Sequence, residues 1–130
     1  MIVVDCSVIV DALIGPDDET TSLRSLLSSG NLVAPGLLDY EVVSALRGVT
    51  RAGRLSQAGA ADALADFDDL SIARWNLFDG FRRRAYELSA GISSYDAAYV
   101  VLAEALDAPL LTRDRKLAKA AKAFVTVTVA

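Results

Sequence analysis

Short apolar runs alternate with segments of helical periodicity along the whole chain. The runs predicted as strands cover residues 2–4, 32–34, 70–75, 109–112 and 124–129. The segments predicted as helices cover residues 7–15, 17–29, 37–52 and 78–90, two helices capped by Ser56 and Ser94 that run to about residues 69 and 106, and a short basic helix from Asp114. Apolar strands without a polar face are typical of a parallel sheet covered on both sides. The alternation predicts an α/β fold, a three-layer sandwich with a mainly parallel central sheet and helices on both faces.

The length and composition are those of one domain over residues 1–130. The chain is 53% apolar, with no repeat, linker or low-complexity segment. Its single cysteine, Cys6, excludes a disulfide within the chain and fits a reducing compartment. The N-terminal run carries acids but no Lys or Arg, which is unlike a signal peptide, and no run has the length of a membrane span. We therefore expect a cytoplasmic protein without membrane contact.

The charged residues narrow the chemistry. The chain has no histidine, which excludes Ser-His-Asp and Cys-His catalysis and disfavours a zinc site. Its net charge is −4, which argues against broad electrostatic binding of nucleic acid. A nuclease built on this chain would need local positive charge, from a bound cation or from clustered Arg and Lys side chains.

Four acids, Asp5, Glu41, Asp96 and Asp114, follow predicted strands or open predicted helices. The carboxyl ends of parallel strands meet at one edge of a sheet, so the four are expected to converge there. Helix capping explains Asp5 as well as a ligand role does and explains Asp114 better, and the helix dipole explains Asp96 better, when each is taken alone. Together, four acids without histidine favour a hard cation, Mg²⁺ or Mn²⁺.

Glu41 is the acid that capping explains least. It lies at helical spacing beside the apolar stripe that includes Leu38, Val42 and Ala45, and so borders the face predicted to be buried. A carboxylate in that position is costly unless it is paired, protonated or bound to a cation. The alternative is a side chain that bends out to water.

Four segments resemble, in order and spacing, the PIN-domain ribonucleases and more closely the VapC toxins of prokaryotic toxin–antitoxin pairs. They are IVVDCSVIV, YEVVSALRG, SSYDAAYVVLAEAL and PLLTRDRKLA, and the resemblance runs from Ile2 to about Ala121. It implies an endoribonuclease that depends on Mg²⁺ or Mn²⁺ and cleaves RNA with metal-activated water. The four acids of the family fall on Asp5, Glu41, Asp96 and Asp114, and its two small hydroxyl residues fall on Ser7 and Thr112.

The resemblance also implies roles for residues around the acids. The hydroxyls of Ser7 and Thr112 would orient a carboxylate or contact phosphate, although local capping also explains them. Arg113 and Arg115 belong to a basic group that would hold RNA phosphates. Cys6 and Ser44 depart from the residues that the family often carries at these positions, which leaves metal binding itself unaffected.

The partners that the resemblance implies are an RNA substrate, a cognate antitoxin and a second copy of the chain in a homodimer. Direct sequence-specific binding of DNA is not expected. The run VIVDALI and the helix after Ser56 are the predicted antitoxin-docking surfaces. We predict that Trp75 and Tyr99 lie in the core rather than stack on bases, and that Asp11 is exposed.

Other classes remain open at this stage. A catalytically weak PIN domain that only binds a partner would carry the same fold. A phospho-acceptor receiver domain has similar length and an acidic Mg²⁺ pocket, but Cys6 stands where a receiver needs a second acid, and no matching Lys is present. A phosphatase of the haloacid dehalogenase type needs an Asp where Ser7 stands.

Overall fold

The strands of this protein lie side by side in one sheet, in which every pair of neighbours is parallel. The structure is a computed structural model that describes residues 1–76 and 78–130. In the described residues the strand order is β3-β2-β1-β4-β5. The strands are β1 (Ile2–Val4), β2 (Leu32–Pro35), β3 (Ile72–Trp75), β4 (Leu110–Thr112) and β5 (Val127–Val129).

Helices connect the strands, as parallel pairing requires. They are α1 (Cys6–Ile14), α2 (Asp17–Ser29), α3 (Leu37–Arg51), α4 (Gln57–Asp68), α5 (Asp79–Leu88), α6 (Ser94–Leu106) and α7 (Arg115–Ala121). α1 packs against α2, α3 and α4, while α6 packs against α5 and along β1, β2 and β4. The three-layer α/β sandwich is thereby confirmed, with a sheet that is wholly parallel among the described strands.

The core lies where the central strands meet α1 and α6. Val3, Val4 and Leu110 are fully buried. α6 is buried on nearly all sides from Ala97 to Ala103, as its apolar sequence predicts. Each large apolar side chain removed from water in this way stabilises the fold by about 1.5–3 kcal/mol. The carboxyl edge of the sheet is therefore built on the buried core of the molecule.

The two outer strands differ from prediction. β3 begins at Ile72 rather than residue 70, and β5 begins at Val127 rather than residue 124. Only Ile72 is buried in β3, so coverage on both faces holds for the central strands and not for the edges. Trp75 closes β3 with 37% of its surface exposed, so its prediction as a core residue was wrong. An edge strand pairs on one side only, and its residues contact fewer neighbours.

The start of α6 also lies one residue earlier than predicted. Ser93 rather than Ser94 is the N-cap, and its hydroxyl accepts the backbone N–H of Asp96 at 3.1 Å. Two adjacent serines made the choice ambiguous in sequence, because either can accept a bond from an N–H two or three positions ahead. The shift places Asp96 at the third position of the helix.

Within the described part of the chain, no helix is long and apolar enough to cross a membrane.

Candidate active site

Asp5 lies at the junction of β1 and α1, buried to 5% exposure. It caps α1, since Oδ1 accepts the backbone N–H of Val8 at 3.2 Å. The hydroxyl of Ser7 donates to the same oxygen at 2.6 Å, and the hydroxyl of Thr112 donates to Oδ2 at 2.5 Å. Burial raises the pKa of Asp5, while these hydrogen bonds lower it. The capping role is thus observed, and both oxygens are oriented by donors.

Ser7 and Thr112 connect Asp5 to the next segment of the edge. Ser7 Oγ accepts the backbone N–H of Arg113 at 2.9 Å, and Thr112 Oγ1 accepts that of Asp114 at 3.0 Å. The two hydroxyl oxygens lie 3.4 Å apart. Thr112 is completely buried. Together the hydroxyls join the turn after β1 to the turn after β4, so that Asp5 and Asp114 are held beside each other.

Glu41 lies on the first turns of α3, half-buried as its position beside the apolar stripe predicts. The hydroxyl of Tyr99, from α6, donates to Glu41 Oε1 at 2.5 Å. Burial is the largest cause that raises the pKa of Glu41; the Tyr99 hydrogen bond lowers it, and the charges of Asp96 and Asp5 raise it further. The carboxylate therefore does not simply bend out to water.

Asp96 and Asp114 line one cleft of about 410 Å³ together with Ser93 and Lys116. Asp114 is exposed and caps α7, with Oδ1 accepting the backbone N–H groups of Lys116 at 2.9 Å and Leu117 at 3.1 Å. Burial raises the pKa of Asp96, a hydrogen bond from Ser93 lowers it, the charge of Asp114 raises it and Lys116 lowers it. Asp114 thus caps α7, Asp96 lies on the first turn of α6, and both acids face the cleft.

The four acids act on each other electrostatically in a closed ring. The charge of Asp114 raises the pKa of Asp5, the charges of Asp5 and Asp96 raise that of Glu41, and the charge of Asp114 raises that of Asp96. Like charges are gathered in this way at a cost in free energy. A cation bound among them would remove that cost, so the arrangement fits the chemistry of a divalent metal site.

The ring is not a preformed cage. In residues 1–76 and 78–130, no group of three or more His, Cys, Asp or Glu side chains is arranged so that it could already hold a metal ion. The donors at the edge are carboxylate and hydroxyl oxygens, which suit Mg²⁺ or Mn²⁺. Cys6 lies nearby, but burial and the charges of Glu41 and Asp5 raise the pKa of its thiol to about 12, so it stays protonated.

The two arginines assigned to phosphate binding differ in their surroundings. Arg113 Nε forms an ion pair with Asp11 Oδ2 at 2.9 Å, and its guanidinium is already partnered. Arg115 is exposed at the first position of α7. Asp11, predicted to be exposed, is 48% exposed at its side chain and held by this pair. The pairing joins α1 to the turn after β4, a contact that sequence spacing does not reveal.

Tyr99 is the site residue that the sequence interpretation missed. Its burial was predicted correctly, since it is 1% exposed, but its bond to Glu41 was not. A signal was available, because a tyrosine in a buried helix must find a partner for its hydroxyl. Tyr40 and Tyr95, which directly precede Glu41 and Asp96, are exposed to 78% and 64%.

Comparison with known proteins agrees with this fold. A family model described as the PIN domain matches residues 2–123. The VapBC2 structure from Rickettsia felis, bound to a DNA fragment from their promoter, superposes with a TM-score of 0.67 and 18% identity, covering 100% of this chain and 99% of the matched one. The chain belongs to the PIN-domain family.

Two curated relatives place it more narrowly. Ribonuclease VapC9 of Mycobacterium tuberculosis is 36% identical over 129 residues, covering 99% of this chain and 98% of the relative. Ribonuclease VapC1 of the same organism is 40% identical over 118 residues, covering 91% and 89%. Within the PIN-domain family, the chain lies among the VapC toxin ribonucleases, so the resemblance is confirmed. The receiver and dehalogenase alternatives fall away.

Proposed function

We propose that this protein is a divalent-metal-dependent endoribonuclease and the toxin of a VapBC-type pair, with Asp5, Glu41, Asp96 and Asp114 as its metal-binding carboxylates. One observation carries the metal site: four acids from separate elements share one edge of the sheet, and each of the three that is wholly or partly buried has its pKa raised by another member of the set. Repulsion among these acids does not stabilise the fold, so we assign their grouping to cation binding.

The chain's own residues have separable roles in this proposal. When bound, Mg²⁺ or Mn²⁺ would supply Lewis-acid activation of water and neutralise charge on the phosphate. Hydrogen bonds from Ser7 and Thr112 orient both carboxylate oxygens of Asp5 toward this role. With no histidine in the chain, a carboxylate of the site is the side chain left to accept the proton of the attacking water.

Positively charged side chains at this edge would let a chain of net charge −4 bind RNA phosphates. Lys116 lines the cleft with Asp96 and Asp114, and Arg115 is exposed beside it. Both lie on the first turn of α7, within reach of an RNA backbone that enters the cleft. We assign phosphate contacts to these two side chains first. Arg113 contributes less while it is paired with Asp11.

The antitoxin is proposed to dock in the groove between α1, α2 and α4. This groove, of about 470 Å³, is lined by Ala12 and Leu13 of α1, Leu27 of α2, and Leu70 after α4. Ala12 and Leu13 of the run VIVDALI and Asp66 of the helix after Ser56 line it, whereas Val8 and Ile9 of that run are buried in the core. The VapC relatives and the VapBC2 structure support a partner of this kind.

A second copy of the chain is the other proposed protein partner. Exposed Val43 and Phe78 offer apolar surface for this homodimer.

The test is cleavage of end-labelled structured RNAs with Mg²⁺, with Mn²⁺ and with EDTA. We expect cleavage only with a cation, and a loss of at least about 100-fold in Asp5→Asn and Asp96→Asn. Asp62→Asn, an exposed acid of α4, is the matched control and should cleave as the wild type does. Cleavage that persists in EDTA, or in both site variants, would contradict the metal mechanism.

A further inference from the structure

The Glu41 side chain is fixed from across the site by a residue of another helix. Tyr99 Oη donates to Glu41 Oε1 at 2.5 Å, and the Tyr99 ring is 1% exposed in the core. Glu41 comes from α3 and Tyr99 from α6, so the bond spans 58 residues of sequence. Within the described residues, this is the one hydrogen bond made to the carboxylate of Glu41.

The bond can run in one direction only. A carboxylate oxygen has no proton to donate, so the Tyr99 phenol is the donor and Glu41 Oε1 the acceptor. Oε1 accepts that proton with one lone pair. Oε2 and the second lone pair of Oε1 remain available to a ligand. The rigid ring of Tyr99, locked by the core, therefore holds a flexible carboxylate in one orientation.

We propose that Tyr99 is a positioning residue that presents Glu41 to the cation. A glutamate has three side-chain torsions, and ordering them at the moment of metal binding would weaken that binding. Tyr99 orders them beforehand, as hydrogen-bonded partners of metal ligands commonly do. This inference rests on the proposed function, because it takes Glu41 to be a metal-binding carboxylate.

The test removes the hydroxyl alone. Tyr99→Phe keeps the buried ring and deletes the donor, and Tyr40→Phe makes the same change at the exposed tyrosine next to Glu41. Mn²⁺ affinity is measured by titration calorimetry, so the readout does not depend on RNA cleavage. We expect affinity to fall by roughly 10-fold in Tyr99→Phe, within the range for partners of metal ligands, and to stay unchanged in Tyr40→Phe.

A double-mutant cycle separates positioning from a general structural effect. Glu41→Ala alone should weaken Mn²⁺ binding, and adding Tyr99→Phe to it should weaken binding no further, because the hydroxyl acts through the Glu41 side chain. An equal additional loss in the Glu41→Ala background would overturn the inference, as would unchanged affinity in Tyr99→Phe. Wild-type protein that binds no Mn²⁺ would overturn the proposed function as well. If the wild type cleaves RNA only with a cation but Tyr99→Phe binds Mn²⁺ as tightly as the wild type, the inference alone is overturned.

Discussion

The hydroxyl of Thr112 donates to Oδ2 of Asp5 at 2.5 Å. Thr112 is the last residue of β4 and Asp5 follows β1, so the bond joins the ends of two adjacent strands. The same hydroxyl accepts the backbone N–H of Asp114 at 3.0 Å. One completely buried side chain thus sets the position of one site acid and the backbone of another.

Replacing Thr112 by Val should therefore cost both stability and activity. The change keeps the shape but leaves Asp5 Oδ2 and the N–H of Asp114 without this partner, and we expect a loss of about 1–3 kcal/mol in the free energy of unfolding. Thr112→Ser keeps the hydroxyl and is the matched control, losing only a methyl group. Urea denaturation measures both variants. Equal losses in the two would show that the methyl, and not the hydroxyl, matters.

Glu41→Gln should stabilise the metal-free protein at neutral pH. Gln still accepts the Tyr99 hydroxyl, while the repulsion from Asp5 and Asp96 disappears. We expect the free energy of unfolding to rise by about 0.5–1 kcal/mol. The gain is small because solvent screens the charge of a half-exposed carboxylate. Thermal unfolding in EDTA measures it, with Asp62→Asn as a control that should be neutral. A destabilised Glu41→Gln protein would argue against repulsion at the site.

Burial, together with this repulsion, sets the sign of the pH dependence. The pKa values of Asp5, Glu41 and Asp96 are raised in the folded protein, which therefore holds these protons more tightly than the unfolded chain. Their contribution should lower the free energy of unfolding as pH rises from the ordinary carboxylate pKa through the raised values. Unfolding of the metal-free protein from pH 4 to pH 8 should show a smaller decline in Glu41→Gln than in the wild type.

Cation binding should restore the stability that the folded protein loses when the site acids are ionised. At a concentration 100 times its dissociation constant, Mn²⁺ or Mg²⁺ should stabilise the folded protein by about 2.7 kcal/mol. The rise in melting temperature should disappear in Asp5→Asn and Asp96→Asn and persist in Asp62→Asn. Differential scanning calorimetry with and without EDTA makes the comparison. A rise that survives in both site variants would place the cation elsewhere.

Arg115 should contribute one phosphate contact. Arg115→Ala is expected to weaken binding of single-stranded RNA and to reduce the slope of log affinity against log salt by about 0.7. Arg83→Ala, an exposed residue of α5 with the same change in net charge, is the control. Asp11→Asn should act in the opposite direction by releasing Arg113. Filter binding in metal-free buffer at several salt concentrations measures all three, and equal slopes for Arg115→Ala and wild type would exclude the contact.

Local patterns were enough to predict the central strands, α3 and the buried character of α6. These elements carry their own signals, since apolar runs, helical spacing and capping residues act over a few neighbouring positions. The edge strands β3 and β5 were placed less well because burial depends on whether another strand or helix covers them. Trp75 illustrates this limit: an aromatic residue in a strand looks like core until the strand proves to lie at the edge.

The placement of Asp5 and Asp114 just after strands was likewise predictable from the sequence, and the carboxyl ends of parallel strands meet at one edge of the sheet. Only the tertiary structure decided how the acids are held. The bonds from Thr112 to Asp5, from Tyr99 to Glu41 and from Arg113 to Asp11 each join residues 58 to 107 positions apart. Contacts over such separations depend on how α1, α3 and α6 pack around the sheet, and no local pattern along the chain encodes that packing.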